Sequence, residues 1–125
     1  MIANLMEYGR NALKVKQREI ILINFPFSDL TGTKVRPALV VSSNRYNQNN
    51  LDAVVLAITS NLSPHAYKIL IEIHDLENGS LPLKSAIRVD KPFSVLQSKV
   101  LKIQAKVTIA KLKEVKLLIN ELTDE

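Results

Sequence analysis

Cysteine is absent from the 125 residues. That excludes disulfides, thiolate nucleophiles and cysteine-ligated zinc, and it fits a cytoplasmic protein. Glycine is scarce: Gly9, Gly32 and Gly79 lie far apart, so no glycine-rich loop is available to cradle a phosphate. No apolar run approaches the ~18 residues that a membrane-crossing helix needs. The opening stretch MIANLMEYGRNALKVKQ has no apolar block followed by a small-residue cleavage site, so it does not read as a signal peptide. There is no HExxH and no DxD-type carboxylate cluster. The two histidines, His65 and His74, stand apart and read as surface or half-buried side chains. No metal and no cofactor are expected.

What is present is an ordinary globular composition, 46% hydrophobic and 23% charged, at a length that suits one domain. The net charge of +5 is compatible with a polyanionic partner such as RNA or DNA. Residues 1–17 carry Arg10, Lys14 and Lys16 against Glu7 and read as a basic, mobile or loosely docked extension. Residues 18–125 form the folded domain.

Short apolar runs then follow at close spacing. EIILINF (19–25), RPALVVS (36–42), DAVVLAIT (52–59) and KILIEI (68–73) read as strands, as do SAIRVDK (85–91), Phe93–Leu96 and Leu101–Val107. Residues 43–50 (SNRYNQNN) read as a polar surface loop, and 75–82 as a turn region. From residue 109 the period changes. Ile109, Leu112, Val115, Leu118, Ile119 and Leu122 recur at helical spacing, with Lys111, Lys113, Lys116 and Asn120 on the other side and Thr108 as N-cap. The fold class is therefore mainly β: a small, strongly bent antiparallel sheet or barrel closed by a C-terminal helix.

Polar residues collect at strand ends. Arg36 stands where a loop becomes a strand, beside Pro37, which has no N–H for a ladder. Thr59 and Ser60 close one strand, and Ser85 opens another. Arg88 and Asp90 share one face of an alternating strand, with Cα atoms about 6.5–7 Å apart by strand rise. The plain reading is a solvated Arg and a surface ion pair. The chemical reading is a metal-free phosphodiester site. RNA cleavage needs a base for the 2′-hydroxyl, an acid for the 5′-oxygen and positive charge for the phosphorane.

The ordered segments FPFSDLTG (25–32), RPALVVS (36–42), ITS (58–60) and SAIRVDK (85–91) resemble the MazF/PemK family of toxins of type II toxin–antitoxin systems. The resemblance runs from about Arg18 to Leu122. It implies an SH3-like barrel of about seven strands with a C-terminal helix, usually a homodimer. It implies a sequence-specific endoribonuclease that cuts single-stranded RNA without metal, leaving a cyclic phosphate and a 5′-hydroxyl, and that a cognate antitoxin neutralises. On this resemblance Arg36 and Thr59 are the core catalytic pair. Arg88 and Asp90 match the acid and base of the PemK branch. Ser60, Ser85, Phe27 and Lys34 are substrate contacts. The related CcdB toxins bind DNA gyrase instead, and an inactive relative would bind only antitoxin or RNA, so both alternatives stand beside the enzyme. Two positions depart from the family pattern. Arg18-Glu19 replaces a Gly-Asp opening, and Ala105 replaces a Gly. The first loop also lacks a His that some members carry, which bears on any mechanism needing an imidazole.

Overall fold

The computed structural model describes residues 14–26 and 33–125. Phe27 and most of the first loop therefore lie outside the described residues. Seven strands form one antiparallel sheet: β1 (Glu19–Pro26), β2 (Thr33–Val40), β3 (Asp52–Thr59), β4 (Lys68–Ile71), β5 (Leu76–Gly79), β6 (Ser85–Leu96) and β7 (Lys102–Val107). Their order is β4-β6-β3-β2-β1-β7-β5. Helix α1 (Asn44–Asn49) joins β2 to β3, and helix α2 (Ile109–Thr123) ends the fold.

Connectivity forces this sheet to curl. β4 and β5 are its two edges, yet residues 72–75 alone join them. Flat, the edges would stand about 29 Å apart at the usual strand spacing. The connection reaches at most about 18 Å. The sheet therefore bends into the barrel-like form expected, with β4 and β5 left as free edges rather than paired.

Each face carries its own core. Ile20, Leu39, Leu56, Ile58, Ile87, Val89 and Val107 pack with Val115 of α2 and its neighbours Leu118, Ile119 and Leu122. On the other face Ile21, Ile23, Ala38, Val40, Ala53 and Val55 pack with Phe25, Phe93 and Val95. Thr108 caps α2, its Oγ1 accepting from the Lys111 amide at 3.1 Å. No helix among the described residues is long and apolar enough to cross a membrane.

Five details differ from the sequence reading. The 43–50 loop is largely helical, capped by Ser43, with Asn47 fully buried and bonded to Ser42. Asparagine is a weak helix former, so composition hid this helix. Part of the 75–82 turn region is strand β5. Strand 85–91 and strand 93–96 are one strand, β6, running through Pro92. There β4 no longer pairs with β6, so no ladder bond is lost. Lys111, assigned to the solvent side, is buried; its Nζ reaches Asp75 at 3.2 Å and Glu114 at 2.8 Å. Finally, residues 14–17 are seated on the fold. Lys14 Nζ donates to the Asn50 carbonyl, and the amide of the buried Val15 donates to Gln97 Oε1.

The departures from the family pattern have visible consequences. Arg18 sits at φ 82°, where glycine would be unstrained. Its guanidinium is anchored on the Val107 carbonyl and Glu77, both at 2.9 Å. Gly79 (φ 76°) pairs with Ala105, and a Cβ there would lie 2.4 Å from the Gln104 carbonyl oxygen. The close approach of β5 to β7 is thus made possible by Gly79, on the strand opposite Ala105.

Candidate functional site

The sheet is irregular on both sides of the end of β3. β2 pairs with β3 only from Val40↔Val55 to Ala38↔Ala57. Before Ala38, β2 pairs with β1 alone, so Pro37 sits at a local edge. On the other side the register jumps from Leu56↔Pro92 to Ile58↔Ile87, so residues 88–91 bulge past Ala57. Bulges of this kind re-aim side chains and are common beside active sites.

These irregularities gather the polar residues. Thr59 lies opposite Ala86, and Arg88 is two residues along, so both point to one face. Arg36 lies two residues before Ala38, past the last β2–β3 pair, and by strand alternation its side chain is on the same face as Ala38 and Thr59. Arg88 and Asp90 form a bidentate pair, Nε to Oδ1 at 2.8 Å and Nη2 to Oδ2 at 2.7 Å, with about a fifth of each side chain exposed. The guanidinium hydrogen bonds hold the Asp90 carboxyl below the usual carboxylate range, and those same bonds raise Arg88 above the ordinary arginine value. The pair is locked in its charged form. It can bind and stabilise charge readily, and it exchanges protons less readily than free groups would.

Ser60 and Ser85 alternate to the opposite face. With Lys34 and Arg36 they border a cavity of about 260 Å³ walled by apolar residues including Leu22, Ile58 and Leu81. Ser60 is exposed, whereas Ser85 is buried and its hydroxyl donates to the Leu83 carbonyl at 2.8 Å. The structure therefore brings Arg36, Thr59, Arg88 and Asp90 to one face, and Lys34, Ser60 and Ser85 to the rim and wall of an adjoining cavity. Arg36 belongs to both groups. Among the described residues no three His, Asp or Glu side chains converge as metal ligands.

Residues 16–123 match the family model of the PemK-like, MazF-like toxins of type II toxin–antitoxin systems. The chain belongs to the MazF/PemK toxin family. Solved structures agree on the fold. The MazE–MazF complex from Deinococcus radiodurans (Form-III) superposes with a TM-score of 0.72 at 21% identity, covering 87% of this chain and 95% of that one. Mycobacterium tuberculosis toxin MazF-mt6 gives a TM-score of 0.69 at 15% identity, covering 86% and 97%. An endoribonuclease in complex with its cognate antitoxin from a mycobacterial species gives 0.69 at 15%, covering 86% and 92%. A comparison with curated protein sequences finds no match.

In this MazF/PemK toxin the sequence reading passed over one neighbour of the site. His65, read as a solitary histidine, lies with Nε2 at 3.4 Å from Arg88 Nη2 and 3.9 Å from Asp90 Oδ2. No sequence signal marks it: Lys68 pairs with Arg88 across β4 and β6, and it is this pairing that carries His65, three residues earlier, to the site.

Proposed function

We propose that this toxin is a metal-independent, sequence-specific endoribonuclease acting on single-stranded RNA such as mRNA. The observation that supports the reading is the placement of Arg36, Thr59, Arg88 and Asp90 on one sheet face, with Arg36 also lining a cavity. Single-stranded RNA suits such a surface because its bases are free to splay into pockets and its 2′-hydroxyl supplies the nucleophile.

In the proposed reaction the 2′-oxygen loses its proton and attacks phosphorus. The P–O5′ bond breaks as O2′–P forms, and the 5′-oxygen takes up a proton. The products are a cyclic phosphate and a 5′-hydroxyl. Arg36 and Arg88 offset the charge that builds on the non-bridging oxygens. Thr59 contacts the phosphate or the 2′-hydroxyl. Asp90 is the carboxylate assigned to take the 2′-proton, oriented by its two bonds to Arg88. Ser60, Ser85, Lys34 and Phe27 are assigned to substrate binding. For Ser85, buried with its hydroxyl engaged, this means shaping the cavity wall.

The partners proposed are RNA, a cognate antitoxin and a second copy of the chain, and the proposed compartment is the cytoplasm. Support comes from the superposing structures, one of an endoribonuclease with its cognate antitoxin and one of a MazE–MazF complex. A basic barrel dimer would place two RNA channels across a two-fold axis.

The test is incubation of the purified protein with a long RNA in excess EDTA, followed by end-group analysis. Discrete cuts with cyclic-phosphate 3′ ends are expected, with single-stranded DNA left whole. Arg36→Ala and Thr59→Ala, each checked for folding, are expected to lose about 10²-fold or more in rate. Intact RNA alongside inhibited gyrase would overturn the reading.

A further inference from the structure

His65 is held, not loose. Its loop begins at Thr59, whose Oγ1 accepts the Asn61 amide at 3.0 Å. Asn61 Oδ1 in turn accepts from the Ser63 amide and hydroxyl. Lys68 Nζ clamps the loop from the β4 side, donating to the carbonyls of Asn61 and Ser63. The Tyr67 carbonyl accepts from Val89 of β6. One braced loop thus runs from Thr59 to the Arg88–Asp90 pair, with the imidazole at its inner edge.

The ring faces a conflict between two donors. The Tyr67 amide points at Nδ1 from 3.1 Å, and the Arg88 guanidinium points at Nε2 from 3.4 Å. A neutral imidazole has one lone pair to offer, and an imidazolium has none. The shorter contact assigns that lone pair to Nδ1, so the proton sits on Nε2. The Nε2–H then faces the space next to Arg88 Nη2 and Asp90 Oδ2. At 3.9 Å, Asp90 Oδ2 is too far to satisfy it directly. Around this ring stand Tyr67 on its own segment, Lys68 on β4, and Arg88 and Asp90 on β6. His65 is exposed, so the proton is open to an incoming ligand.

Resting on the ribonuclease reading, we infer that His65 is a further substrate-contacting residue: a neutral imidazole that donates its Nε2–H to the RNA phosphodiester docked against Arg88. A phosphate oxygen there would receive the guanidinium and the imidazole together, giving Nε2–H the acceptor it lacks. Protonation of the ring would displace the Tyr67 amide and set a second cation against Arg88.

The experiment measures single-turnover cleavage of a long single-stranded RNA in EDTA at pH 8 for wild type, His65→Gln and His65→Phe. Thermal melts check each variant. Gln keeps a neutral N–H donor; Phe keeps the ring shape and loses the donor. His65→Phe is expected to lose about 10²-fold in rate, the usual cost of one such donor. His65→Gln should stay within about tenfold of wild type. A folded His65→Phe with the wild-type rate overturns the inference while leaving the ribonuclease reading intact. A folded His65→Gln that loses as much as His65→Phe overturns the neutral donor. A wild type that leaves RNA whole defeats the ribonuclease reading itself.

Discussion

Asp90 and Arg88 each have one dominant neighbour, and it is the other. Asp90 keeps its charge to lower pH than a free aspartate because the guanidinium hydrogen bonds favour the ionised form. A lowered carboxylate pKa contributes stability that is fully present above the unfolded value, about 3.9, and is lost as pH falls through the lower folded value. Asp90→Asn should therefore reduce the melting temperature at pH 6 and leave a smaller difference at pH 2.5, as scanning calorimetry would show; an equal difference at both pH values would place the stabilisation elsewhere. Gly79 has no such latitude. A methyl group there meets the Gln104 carbonyl and the Ala105 backbone at 2.4 and 2.6 Å, in a left-handed conformation. Gly79→Ala is expected to cost more than about 1 kcal/mol in denaturant titrations. Residue chemistry of this kind was partly legible in advance. Alternation alone placed Arg88 and Asp90 on one face, because two residues in a strand are one side-chain repeat. His65 was not legible, since its position depends on how a loop folds back across β6.

At the scale of elements, buried polar side chains hold the connections. Gln97, 6% exposed, donates from Nε2 to the carbonyls of Asn47, Asn50 and Asp52, and accepts the Val15 amide on Oε1. It ties the N-terminal segment, α1 and β3 to the end of β6. Gln97→Leu fits the space but strands those groups, at about 1–3 kcal/mol for a buried unsatisfied donor or acceptor. Hydrogen exchange should show the loss concentrated in α1 and residues 14–17. Lys111 plays the same part for α2. Burial opposes its charge, but the hydrogen bonds it donates to Glu114 and Asp75 outweigh that and raise its pKa above the ordinary lysine value. Lys111→Met would remove the cation buried against the Asp75 carboxylate and leave it only the Glu72 amide and the exposed His74, at up to about 3–5 kcal/mol, measurable by urea unfolding. For a raised lysine the contribution is fully present below about pH 10.4 and fades as pH climbs through the folded value. Neither role could be read from the chain, because helical periodicity assigns Lys111 to the solvent side of α2. Only the docking of the 73–75 turn against the helix makes that side an interior.

At the scale of the whole molecule, a curled sheet carries a net charge of +5, which is compatible with a polyanionic partner. On the proposed function, Lys34, Arg36 and Arg88 each neutralise a phosphate. Single-stranded RNA affinity should then fall with a log–log salt slope of about −2. Anisotropy with a non-cleavable 2′-O-methyl RNA between 50 and 400 mM KCl checks this, and Lys34→Ala should reduce the slope by about 0.7. A slope near zero would remove these cations from the RNA path.

By itself the sequence determined the β-rich class, the C-terminal helix with its Thr108 cap, most strand positions and the Arg88–Asp90 face. These follow from local periodicity and from the stereochemistry of single residues. The ordered motifs further pointed to a family that the match over residues 16–123 confirms. Only the tertiary structure decided how the sheet curls, where β2 leaves β3 and β6 bulges, and which loop supplies an imidazole. Those outcomes rest on long-range pairing between segments tens of residues apart. Arg36 shows the division: the chain placed it at a loop-to-strand junction, and the departure of β2 from β3 left it on the wall of a cavity.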